Sequence, residues 1–227
     1  MEIGAMLGDA FEYTKEALVG KWMRWLILLV GTIIFPIILG YTLRVYRGER
    51  APPDPQDWVA VFIDGIKLFL VQFVYAIPVI IVSMAINLAI LLPFNVVSGQ
   101  GGTMNGGIAG AAIAVALFLA LVQIVLSVAI SLISMMASVR FARTDSFGEA
   151  FNISAILAHI GRIGWGSYIL ALIVLYLVLF AAVVVLVVVG VLTLGLGFLL
   201  LLALTPAFSI FTARYVTLIY DGALVPA

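Results

Sequence analysis

Cysteine is absent, and histidine occurs once, at position 159. The first absence removes disulfides, thiolate metal sites and cysteine nucleophiles together. The second leaves no histidine-based metal centre within one chain. Charge is scarce as well: 10% of the 227 residues are Asp, Glu, Lys or Arg, against about 25% in ordinary soluble domains. Eleven cations balance eleven anions, so there is no electrostatic footprint for nucleic acid. The amino-terminus opens on Glu2, Asp9, Glu12 and Glu16 and lacks the basic region and apolar core of a signal peptide. No cofactor motif is found. The glycine-rich stretch 95–107 (NVVSGQGGTMNGG) lacks the Lys and Ser or Thr that a phosphate loop requires.

What is present is apolar. Hydrophobic residues make up 65% of the chain, where globular domains average about 45–50%. Several charge-free runs exceed the roughly 20 residues that cross a hydrocarbon core. Ala109 to Ser138 contains no charged residue, and at helical spacing it is two-faced. Ala109, Ala112, Ala116, Ala120, Gln123, Ser127, Ser131, Ser134 and Ser138 share one side. Val115, Leu117, Leu121, Val125, Val128 and Leu132 share the other. Small and hydroxylic residues suit a close helix contact with hydrogen bonds across it. The sharper alternative is the lining of a water-filled path. Gly102, Gly106, Gly110 and Ala114 extend the same helix as a small-xxx-small ladder, a close-packing pattern.

The rest of the chain reads as surface helices leading into apolar segments. Residues 1–21 are amphipathic, with Asp9-x-x-Glu12 as a capping box, and Trp22 and Trp25 mark a headgroup level. Residues 25–43, interrupted at Gly31 and Pro36, either cross once or re-enter as a hairpin. Arg44 to Asp57 is a proline-rich ordered connector. Trp58 to Lys67 is expected as a second short surface helix capped by Asp57, followed by a span over Leu68 to Leu92. That span is kinked at Pro78 and carries Gln72, Ser83 and Asn87. Asp145 or Ser146 is expected to cap a third surface helix near 145–160. His159 lies at its end, where the helix dipole favours a cation; a pH sensor is the other reading. Ile163 to Ala213 is uncharged for fifty-one positions, enough for two spans turning at 190–197, the second kinked at Pro206.

The recurring plan divides the chain into units of roughly 1–50, 51–143 and 144–227 within a single integral membrane domain. Segments 44–67, 140–162 and 214–227 hold eight of the eleven Lys and Arg. The positive-inside rule places them in the cytoplasm. A re-entrant first unit adds Lys15, Lys21 and Arg24 to that side. The fold expected is all-α: a polytopic transmembrane helical bundle with short amphipathic helices on the cytoplasmic face.

The runs GYTLRVYRGE (40–49), DWVAVFIDGIKLF (57–69), YAIP (75–78), DSFGEAF (145–151) and Arg162 to Tyr168 resemble an uncharacterised, mainly archaeal family of multi-pass membrane proteins. That family is known only as a domain of unknown function. The resemblance implies a cytoplasmic membrane of archaeal type, favours the hairpin for 25–43, and transfers no activity.

Three functions remain after these exclusions. The first is a non-enzymatic membrane protein that works by packing, with itself or with an unidentified membrane partner, amid membrane lipids. The second is a passive channel or carrier for a neutral solute, lined by Gln123, Ser127, Ser131, Ser134 and Ser138 with Gln72 and Asn87. An ion-coupled pump is disfavoured, because no ionisable group lies at membrane depth. An interfacial lipid enzyme is the third, but Asp54, Asp57, Asp64 and His159 show no spacing for metal or acid–base work. The chain is therefore expected not to be an enzyme.

Overall fold

The computed structural model describes residues 2–55, 57–99 and 106–223. They form nine helices: α1 (Ile3–Leu18), α2 (Trp22–Ile33), α3 (Phe35–Tyr46), α4 (Trp58–Gly99), α5 (Gly106–Thr144), α6 (Phe147–Ala150), α7 (Ile153–Ile163), α8 (Trp165–Leu192) and α9 (Phe198–Asp221). No strand occurs among the described residues. Four helices are long and apolar enough to span a membrane, over Trp58–Leu91, Gly110–Thr144, Trp165–Leu192 and Phe198–Asp221. The chain is a polytopic helical protein, as its composition requires.

Local chemistry moves several expected boundaries. α1 begins at Ile3 after Glu2, with no side-chain cap. Asp9 therefore lies inside the helix and does not start it; its carboxylate pairs with Arg214 instead. Asp57 does cap α4, accepting from the amide of Ala60 at 3.1 Å. No separate surface helix follows, however. Nothing between Lys67 and Leu68 stops a helix, so α4 runs unbroken for 42 residues, about 63 Å at 1.5 Å per residue. The third surface segment splits. Asp145 has a positive φ of 48° and Ser146 makes no cap bond before the single turn of α6. Asn152 is the working cap, accepting from the amide of Ala155 at the start of α7. Glu149 is drawn off to Arg140.

Two compact units result: residues 1–71 with 135–227, and residues 72–134. The first is built on the carboxy-terminal half of α9, where Ile210, Ala213, Tyr215, Val216, Thr217 and Ile219 are buried. α1 contributes Ala10, Tyr13 and Ala17 to this core, α3 contributes Tyr41, Leu43 and Val45, and α8 contributes Tyr168, Ala171 and Leu175. Buried tyrosines need a partner for the hydroxyl, and Tyr215 donates to the carbonyl of Ala171 at 3.1 Å.

The path of α1 to α3 follows from three contacts with α9. Asp9 bonds Arg214 at 2.6 Å, the Trp25 indole donates to the carbonyl of Ala203 at 2.7 Å, and Thr217 donates to the carbonyl of Val45 at 3.5 Å. The chain thus starts beside residue 214, travels to residue 203 and returns to residue 217. At Ile34 (φ −90°, ψ 75°) the helix breaks. A Cβ on Gly31 would stand 3.5 Å from the amide nitrogen of Ile38, where a continuous helix would put seven residues about 10.5 Å apart. The segment folds back, and α1 is its descending limb.

In the second unit, α4 and α5 meet through Gln123, whose amide donates to the Ser83 hydroxyl at 2.8 Å. Most of their apolar side chains are exposed in the single chain, among them Ile81, Met84, Ile113, Leu117, Phe118, Leu121, Ile124 and Val125.

Candidate functional site

Asp9, Arg143, Arg214 and Asp221 gather at the carboxy-terminal end of α9, and glycine brings a further charged group together. A Cβ on Gly40 would lie 1.8 Å from the carbonyl oxygen of Val61, and one on Gly65 would lie 1.7 Å from that of Pro36. Only hydrogen at both positions lets α3 and the start of α4 touch backbone to backbone. That approach carries Arg44, one turn beyond Gly40, to Asp64, the neighbour of Gly65. Arg44 Nε stands 3.4 Å and Arg47 Nη2 3.2 Å from the carboxylate. Asp64 is 8% exposed, and two guanidinium groups compensate its desolvation.

A second knot joins three elements. One Arg143 nitrogen reaches both Asp221 oxygens, at 2.7 and 2.9 Å, while its Nε donates to the carbonyl of Tyr46 at 3.0 Å. Gly48 turns beneath it at φ 83°, and any side chain there would collide with the guanidinium. Arg214 holds Asp9 through a two-pronged pair at 2.6 and 3.2 Å, donates to the carbonyl of Glu49, and lies 4.7 Å over the Tyr13 ring. Arg24 and the Tyr41 hydroxyl face each other in the buried interior; among the described residues Arg24 Nη1 and that hydroxyl make no hydrogen bond of ordinary geometry.

His159 is 2% exposed and stacks on Tyr220 with ring centres 3.9 Å apart. Its Nε2 faces the carbonyl of Tyr220 at 2.9 Å and its Nδ1 faces Arg162 at 3.3 Å. A carbonyl only accepts and a guanidinium only donates, so the ring is neutral with its proton on Nε2. Burial pushes its pKa down, the Tyr220 hydrogen bond opposes this, and Arg162 and Arg140 lower it further against Asp221. The expected helix-end cation is replaced by a neutral ring, because the burial outweighs the dipole.

The residues singled out in the sequence are placed as follows. Gln123 bonds Ser83 across the second unit, and Asn87 returns its amide to the Ser83 carbonyl of its own helix. Gln72 and Ser127 are half-buried and Ser138 is buried. Ser131, exposed in the single chain, bonds the carbonyl of Val128, and Ser134 bonds that of Ser131. Gly102 lies outside the described residues, and Gly106 begins α5. Gly110 and Ala114 are exposed, and a Cβ on Gly110 would meet nothing within 4 Å. Among the described residues, tight glycine contacts lie elsewhere, at Gly40 with Gly65 and at Gly190 with Gly197. Among the described residues no cluster of three His, Cys, Asp or Glu side chains could hold a metal.

Residues 25–194 match a family described as a protein family of unknown function, DUF4013. The chain belongs to the DUF4013 family. The match opens at Trp25 in α2 and closes in the turn after α8, so the Gly40–Gly65 contact, the Asp64 cluster and His159 all fall inside it. No curated protein and no solved structure matches the chain.

Proposed function

We propose that this DUF4013 protein is a non-enzymatic component of the cytoplasmic membrane that works by packing, as a self-associating scaffold. The observation that carries the reading is the state of the second unit. Its helices share the Gln123–Ser83 bond yet leave their small and apolar faces, including Gly110 and Ala114, uncovered in one chain. In lipid, small residues gain by close backbone approach to another helix. The ion-paired end of the first unit then faces the cytoplasm, in keeping with the Lys and Arg distribution.

The mass of the protein in nanodiscs, before and after Gly110→Leu, tests this. An oligomer that falls to a monomer in the variant supports the scaffold; a monomeric wild type rejects it. Passive conduction of a neutral solute is the second reading. It is favoured by Ser131, which stays exposed between the half-buried Ser127 and Ser134 and is free to face an oligomer axis. Solute flux into liposomes that is abolished by Ser131→Leu, with the oligomer intact, decides for conduction.

A further inference from the structure

α1 presents two different faces beside the spanning helices. One closes an apolar groove of about 290 Å³ with α8 and α9, lined by Phe11, Thr14, Val178, Leu179, Ala182 and Phe208. The groove has almost no polar lining. It continues along α8 and α9 into a second of about 420 Å³, which shares Ala182 and Phe208 and adds Val185, Leu186 and Leu204. The adjoining face of α1 is charged: Glu12, Lys15, Glu16 and Val19 border an open depression. Lys15 and Glu12 are 3.5 Å apart with side chains 55% and 67% exposed, a pairing weak enough to exchange for a ligand.

We propose that these surfaces together bind one phospholipid with an amine-bearing headgroup. An acyl chain lies in the groove past Ala182 and Phe208, where alanines leave the width that a methylene chain fills. The headgroup crosses α1. Its phosphate meets Lys15, and its ammonium meets Glu12 and Glu16. Two carboxylates beside one ammonium complement a zwitterion, whereas a purely anionic headgroup would face a net negative rim. A partner's transmembrane helix in the groove would press apolar side chains against those same three charges, at a desolvation cost that a headgroup avoids. The site rests on the membrane reading of α8 and α9 and is independent of self-association.

Native mass spectrometry of the delipidated protein in detergent tests it, with phosphatidylethanolamine, phosphatidylglycerol and diacylglycerol offered in equal amounts. The wild type should retain one phosphatidylethanolamine about tenfold more than either competitor, a difference of about 1.4 kcal/mol. Ala182→Phe, which fills the groove from a half-exposed position, should abolish that retention without lowering the thermal midpoint. Glu12→Gln with Glu16→Gln, both on the exposed face, should leave lipid bound and erase the headgroup preference. Equal retention of all three lipids by the wild type overturns the proposal. So does unchanged retention in Ala182→Phe, or a groove protected only upon dimer formation, which would mark a second copy as its occupant.

Discussion

Gly65→Ala adds one methyl group where the structure has no space for it. The new Cβ would stand 1.7 Å from the carbonyl oxygen of Pro36, and an ordinary C···O contact needs about 3.3 Å or more. Relief requires α3 and α4 to part by roughly 1.6 Å, because the obstruction is backbone and cannot rotate away. The Arg44–Asp64 and Arg47–Asp64 distances of 3.4 and 3.2 Å would then grow to about 5 Å, beyond hydrogen-bond reach. Forced overpacking costs about 1–3 kcal/mol. Breaking a buried ion pair costs about 3–5 kcal/mol, and the 36% exposure of Arg47 removes much of that second amount. The expected net loss is roughly 3 kcal/mol, a fall in midpoint of about 6–12 °C for a chain of this size. Thermal unfolding in mild detergent, followed by tryptophan fluorescence, measures it. Gly161→Ala is the control, since a Cβ there meets nothing within 4 Å. If Gly65→Ala melts within about 1 °C of the wild type, the glycine contact does not set the spacing of α3 and α4, and the account of Asp64 fails with it.

Asp64→Asn should cost about 1–3 kcal/mol, because it leaves two guanidinium groups facing a neutral amide; the same melting assay reads it. Arg214→Lys removes the two-pronged grip on Asp9 and weakens the contact over Tyr13, for an expected loss of about 1–2 kcal/mol, and hydrogen exchange in residues 3–18 should rise. His159 is neutral when folded and takes up a proton near pH 6.5 when unfolded. The contribution of His159 to stability is therefore present above that pH and is lost as pH falls below it, and the decline should be shallower in His159→Gln across a pH series of melts. Gln123→Leu and Ser83→Ala should each cost about 0.5–1 kcal/mol, with a double-mutant cycle showing that they share one interaction.

The membrane class and the four spans could be read from composition and run length, because hydrocarbon thickness fixes both. The turn at 190–197 was legible too. At Gly31 and Pro36 the sequence left a single crossing and a hairpin both open; the chain folds back there, but with α1 as the descending limb in place of a surface helix. The direction of α1 was not legible. An amphipathic pattern shows that one face is apolar, but the partner that takes the face was Arg214 and its surroundings, about two hundred residues away. Gly40 and Gly65 cannot be paired from the sequence for a related reason. Each looks like an ordinary helix glycine in its own run, and only their apposition makes them matter. The signal that could have found them is local: Gly40 stands one turn before Arg44, and Gly65 directly follows Asp64. His159 lies near a helix end, as its position in the sequence indicates, but its burial could not be read there, since burial depends on what packs over that end.

The bond between Asp9 and Arg214 joins residues made far apart in time. Synthesis at about 5–20 residues per second puts roughly 10–40 seconds between them. During that interval α1 and α3 have no α9 to pack upon, and Asp9, Tyr13 and the carbonyl of Val45 await their partners. α3 meets α4 early through Gly40 and Gly65, whereas α1 waits for α9. Until α9 is made, the side of α1 that carries Asp9 and Tyr13 can rest only against lipid or another protein, and the contact between these two helices closes last among those that α1 makes with the described residues.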